Sequence, residues 1–274
     1  DELNRIFLND LAEICMTLGK RKEALGYINK LALASSGPGK FSSKVASRQA
    51  VARIFEMKAR YFLQESDFLK AQEYLDKANH YNPANVTTSD VNFKLLKTEA
   101  LLQWAQGQTE EAGESFQKLV KAYQKHIAYN FVAMSEYEKE QFYYSLKKDF
   151  DLFNAFVLDY KAEHPEKLYE QMYDNLLNTK ALLLNQTNRK KNKILQSGDQ
   201  TLITTLQQWE NSKAKLAAQY YEKSNASRID SLQRKIELLE KQLNQASGLF
   251  DTMEKSAEWK QVKKILRPGD AAVE

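Results

Sequence analysis

Residues 59–83 read ARYFLQESDFLKAQEYLDKANHYNP, and the fold is decided here. Apolar and small residues first recur at helical spacing in Phe55, Ala59 and Phe62, then break at Ser66. They resume with Ala71, Leu75 and Ala78 and stop at Pro83. Recurrence at three and four residues marks an amphipathic helix, a polar break marks a turn, and proline ends the second helix. The stretch therefore predicts two helices packed as a hairpin, with Ala59 and Ala71 small enough to let their backbones approach.

Working outward, the same pattern occurs twice more. Residues 8–31, LNDLAEICMTLGKRKEALGYINKL, place Leu8, Leu11, Ala12 and Cys15 before Gly19, and Ala24, Ile28 and Leu31 after it. Leu96 and Ala100 precede Gly107, and Ala112, Phe116 and Leu119 follow. In this third unit Glu99 and Gln103 stand where apolar residues are expected. The units are separated by 47 and 41 residues, more than the ~34 of the simplest helical-hairpin array. The Gly, Pro, Ser, Asn and Thr-rich segments 35–43 and 82–90 are the expected connectors.

Composition agrees. The 274 residues are 43% hydrophobic with only nine glycines and four prolines, too few turn-formers for a many-stranded sheet. Mean hydropathy is -0.61, and no run approaches the ~20 apolar residues that span a bilayer. A net charge of +4 from 40 basic and 36 acidic residues lacks the basic footprint of a dedicated nucleic-acid binder. A single cysteine, Cys15, excludes an intramolecular disulfide and a multi-thiolate metal site. The expected compartment is the cytoplasm, since no export signal is visible, and Asp1 in place of Met is expected to mark a fragment or a processed product.

Beyond residue 128 the repeat pattern stops and the helical period continues. Ser135 and Glu138 form an expected capping box ahead of Phe142, Leu146, Phe150, Phe153, Phe156 and Val157. Pro165 is expected at the edge of the next helix, which carries Leu168, Met172, Leu176, Leu177 and Leu183. Gly198 should end that helix and Asp199 cap another. Ile229, Leu232, Ile236, Leu239 and Leu243, continuing to Ala246 and Phe250, alternate three and four apart. This seam suits either a dimer or an intramolecular hairpin with the stripe Leu202, Leu206, Trp209, Leu216 and Tyr220. A monomer with the hairpin is the favoured expectation, because three heptads make a minimal coiled coil.

The first three units resemble the tetratricopeptide repeat. Three further stretches, NFVAMSEYEKEQFY (130–143), YDNLLNTKALLLNQTNRKKNKILQSGDQTLI (173–203) and EWKQVKKILRPGDAAVE (258–274), resemble the region that joins such repeats to the protease domain in bacterial TPR-CHAT proteins. The resemblance implies an α-solenoid of helical hairpins over 1–128, a helical region with a coiled-coil-like hairpin over 129–257, and at 258–274 the lead-in to a caspase-like domain. It places the family's catalytic His and Cys downstream of Glu274, so this chain is expected to be no enzyme itself. The implied role is a regulatory module that binds a partner and controls an attached cysteine peptidase.

The residues offer little chemistry to set against this. Cys15 falls at an inward-facing helical position, where a free thiol is commonly a small core residue. His80, His126 and His164 lack the close spacing of a helix-borne zinc pair. No phosphate-binding glycine loop occurs, and no cofactor is expected. Glu110, Glu111 and Glu114 read as a solvated helix face, and the run Arg189, Lys190, Lys191 and Lys193 as a helix end whose dipole favours cations.

The candidate site is the inner face of the repeats. In the tetratricopeptide register it holds Asn9, Glu13 and Met16, then Arg53, Glu56, Arg60 and Leu63, then Lys94, Lys97, Leu101 and Trp104. Cations on successive helices, Arg53, Arg60, Lys94 and Lys97, would suit an acidic protein or peptide segment, with Leu63 and Trp104 taking an apolar side chain. The competing reading is an ordinary solvated helix face.

Overall fold

A computed structural model describes residues 2–36, 43–82, 89–131, 134–160, 166–221, 226–247, 258–267 and 269–270. Every element among them is an α-helix, so the chain is all-α. It divides into two compact units, Asp1–Lys125 and His126–Glu274. Residues 37–42 and 83–88 of the two expected connectors, together with His164, Pro165 and Phe250, lie outside the described residues.

The first unit contains α1 (Glu2–Thr17), α2 (Arg21–Ala34), α3 (Lys44–Gln64), α4 (Phe68–Tyr81), α5 (Asp90–Ala105) and the start of α6 (Thr109–Phe131). Helix α1 packs on α2 and α3 on α4, while α3 also touches α2 and α5. Trp104 of α5 meets Phe116 of α6 edge-on at 6.2 Å, and Phe93 meets Tyr123 at 4.8 Å.

The three intra-pair turns are one structure repeated. Gly19, Ser66 and Gly107 all adopt the left-handed conformation, with φ of 70°, 60° and 75°. In each turn the next residue's amide reaches back to the carbonyl five residues earlier: Lys20 to Cys15 at 2.8 Å, Asp67 to Phe62 at 2.9 Å, Gln108 to Gln103 at 2.9 Å. A second bond accompanies it, from Gly19, Ser66 or Gly107 to the carbonyl of Met16, Leu63 or Trp104. This pair of bonds satisfies carbonyls that a helix end otherwise leaves orphaned, and glycine adopts the required φ without a Cβ clash. Asp67 then caps α4 by accepting from the Lys70 amide, as Ser43 and Ser89 cap α3 and α5.

Around each turn the small residues sit at fixed places. Ala12, Ala59 and Ala100 lie seven residues before it, Ala24, Ala71 and Ala112 five after, and all six are fully buried. The larger partners Ile28, Leu75 and Phe116, four residues further on, are buried as well. Each contributes about 1.5–3 kcal/mol by leaving water.

The second unit contains the end of α6, α7 (Glu136–Asp159), α8 (Glu166–Ser197), α9 (Gln200–Tyr221), α10 (Ala226–Ser247) and α11 (Trp259–Ile265). The capping box is present: Ser135 Oγ accepts from the Glu138 amide at 3.2 Å and Glu138 accepts from the Ser135 amide at 2.9 Å. Gly198 turns left-handed between α8 and α9, and Asp199 accepts from the amides of Thr201 and Leu202. Ile236, Leu239 and Leu243 of α10 are buried with Leu206 and Trp209 of α9 and Ile194 of α8. Ile229 and Leu232 are half-buried further along α10. The seam is thus occupied inside one chain, as the intramolecular hairpin requires.

Candidate functional site

Three helices, each the first of its pair, bring the inner-face residues together. Glu13 of α1 accepts from Arg60 Nη2 of α3 at 2.9 Å and from Lys94 Nζ of α5 at 2.7 Å. Arg60 Nε also faces Glu56 Oε1 at 3.3 Å, and Thr98 donates to the same oxygen at 2.8 Å. Arg53 pairs with Asp90 at 3.0 Å, and Lys94 lies 3.5 Å from Asp90. Three cations and three carboxylates therefore form one charge-balanced network.

Burial and pairing oppose each other at Glu13. Burial pushes its carboxyl up, but the hydrogen bond and charge of Arg60, joined by Lys94, prevail and bring the pKa down to about 2. Burial likewise pulls Arg60 down, and the carboxylates of Glu56 and Glu13 more than restore it, leaving it raised.

Two inward assignments need correction. Met16 is buried in the core with Leu8, Ile28 and Ile54, because it follows Ala12 by one helical turn and so shares its core-facing stripe. Glu56 is only 1% exposed, lying beneath Arg60 and against Thr98 rather than lining an open face. Its Oε2, with Asn9 Oδ1 and Arg53 Nε, is buried without a hydrogen-bond partner. Lys97 and Leu101 are half-buried, and Trp104 is half-buried against Phe116. Leu63 packs against the core between α3, α4 and α5. Asp90 and Thr98 were not among the expected site residues; both carry the helical spacing of Lys94, four residues from each.

A second polar assembly stands at the start of α7. Glu240 of α10 is buried and accepts from Trp209 Nε1 at 2.7 Å and from the Glu136 amide at 2.8 Å. Burial, above all, raises its pKa, with those two bonds pulling the other way. Lys241 pairs with Glu138 and Lys213 with Glu136, each at 2.7 Å, while Asn244 donates to the Met134 carbonyl. A pocket beside it is lined by Met134, Tyr137, Gln141 and Phe142.

Cys15 is buried in the first core, His80 is exposed, and desolvation lowers the pKa of His126. Among the described residues no group of His, Cys, Asp and Glu could hold a metal, and no helix is long and apolar enough to cross a membrane. Glu110, Glu111 and Glu114 are exposed, and Lys191 pairs with Glu210 of α9. The side chains of Arg189 and Lys190 lie outside the described residues. Comparison with family models, with curated proteins and with solved structures finds no match.

Proposed function

We propose that this chain is a protein-binding regulatory module, a tetratricopeptide-like array whose inner face, built on α1, α3 and α5, receives a segment of a partner protein. The single observation that carries the reading is the convergence of Glu13, Arg60 and Lys94 from three equivalent helices onto one face. Repeated hairpins stacked with their first helices side by side form the extended concave surface such arrays use for binding. The charge balance of the network favours a partner segment of mixed charge over a purely acidic one, since Arg53, Arg60 and Lys94 are already matched.

The resemblance of 130–143, 173–203 and 258–274 to TPR-CHAT proteins extends the proposal. The second unit then relays binding to a caspase-like protease domain, with a cytoplasmic setting, no cofactor and no catalysis by this chain. Relay requires that the partner prefer one helical arrangement over another, because a ligand without differential affinity shifts no equilibrium. The occupied α10 seam weighs against the alternative of an oligomerisation scaffold.

The test is affinity capture from the source cells with the wild-type chain and an Arg53→Glu, Lys97→Glu variant whose helicity is checked first. The expected result is one specific protein retained by the wild type and lost by the variant. Equal retention would remove the inner face as the binding surface.

A further inference from the structure

The three pairs superpose in sequence on Gly19, Ser66 and Gly107, and this equivalence exposes one discrepancy. In α3 the positions twelve, nine and five residues before the turn are Ile54, Met57 and Tyr61; in α5 they are Leu95, Thr98 and Leu102. All six are buried. Ile54, Met57 and Tyr61 lie in the core with Ile28 and Leu31 of α2, and Leu95 and Leu102 in the core with Leu75 and Ala78 of α4. Each set is covered by the pair that precedes it in the chain. In α1 the same positions are Phe7, Asp10 and Ile14, and Phe7 is 62% and Ile14 53% exposed. Ile6 and Leu18 extend this exposed apolar stripe along the helix.

Isolated exposed apolar residues are ordinary, but two of them, Phe7 and Ile14, at positions buried in both other copies are not. We propose that the outer face of α1 is the docking surface for a further helical pair of the same repeat in the same polypeptide, packing through its second helix as α2 packs on α3. Asp10 specifies one more feature. Its equivalent Thr98 donates to Glu56 of the preceding first helix, which stands ten residues before Ser66 and is equivalent to Asn9. The incoming pair therefore supplies a hydrogen-bond donor there, as an asparagine equivalent to Asn9 would. The proposal rests on the repeat equivalence and is independent of what the inner face binds.

A copy of residues 1–47 placed ahead of Asp1 reproduces the 47-residue spacing between the first two pairs and sets a second α2 against the stripe. The extended chain is expected to melt in one transition several degrees above the 274-residue chain. Phe7→Lys with Ile14→Lys in the original copy should abolish that gain and leave the melting of the 274-residue chain unchanged. Leu33→Lys is the control, because Leu33 and its equivalents His80 and Lys121 are exposed in all three pairs, and it should preserve the gain. An appended pair that melts separately, or adds nothing, would overturn the proposal. So would self-association of the 274-residue chain in sedimentation that the Phe7 and Ile14 substitutions abolish, since the face would then belong to a second copy.

Discussion

Glu13 and Lys94, 81 residues apart in the chain, meet at 2.7 Å and tie the first helical pair to the third. Lys94 shares that carboxylate with Arg60, so one side chain of α1 fastens both α3 and α5.

Removing the shared carboxylate should therefore cost more than removing an exposed ion. Both side chains of the Arg60 pair are less than a quarter exposed, and Glu13→Ala leaves two cations short of a partner. The expected loss is about 2–3 kcal/mol in urea denaturation, well above that of Lys77→Ala, whose pair with Glu73 is on the surface and screened by water. A double-mutant cycle of Glu13 with Lys94 should return a coupling of about 1 kcal/mol or more.

The same group makes stability depend on acid. Its folded pKa, about 2, lies below the ordinary value of 4.5, so its contribution is complete above about pH 5 and is lost as pH falls toward 2. The shift corresponds to about 3 kcal/mol at neutral pH. Glu13→Gln should flatten the acid limb of the stability profile between pH 5 and 2; an unchanged limb would show that Glu13 does not carry this effect.

Ser66 occupies the left-handed position that Gly19 and Gly107 fill in the other two turns. Left-handed geometry costs a residue with a Cβ about 1–2 kcal/mol. Ser66→Gly should raise the stability of the chain by up to about 1 kcal/mol, glycine's greater freedom in the unfolded chain offsetting part of the gain. Gly19→Ala and Gly107→Ala should each lower it by about 1 kcal/mol, although a Cβ at either would touch nothing. Thermal unfolding of the three variants reads the sign of each change.

In the second unit, Glu240→Ala deprives both Trp209 Nε1 and the Glu136 amide of an acceptor. Hydrogen bonds to a charged group are worth about 1.5–3 kcal/mol, and the loss should appear as reduced stability and as a shift in Trp209 fluorescence. Leu239→Lys should unfold the α9–α10 pair, because Leu239 is buried between α9 and α10. Dissolution of a dimer with the monomer intact would instead restore the seam as an interface between chains.

Much of the first unit was legible because its signals are local. Helix, turn and cap follow from residues within one pair, as at Ala59, Ser66, Asp67 and Ala71. Periodicity also placed the α10 stripe, and only the packed cluster of Leu239 with Trp209 decides which surface fills it. The inner face was read in part. Arg60 and Lys94 do lie together, but Glu13 and Glu56, read on the same face, and Asp90, not read there, pair with the cations that were expected to await an acidic segment. One signal for this stood in the sequence: Glu13 and Arg60 occupy the same place, six residues before Gly19 and Ser66, and adjacent equivalent positions face each other. Contacts such as Glu240 with the Glu136 amide, 104 residues apart, leave no periodic trace.

The central claim, that a partner lies on the inner face, is tested most directly by site-specific photocrosslinking in the source cells. A photoreactive residue at Asn9 or Lys97 on the inner face should join the chain to one protein, while the same residue at Glu73 or Lys77 on exposed α4 should not. Crosslinks to that protein from Glu73 and Lys77 alone would contradict the account and move the binding surface to the second helices.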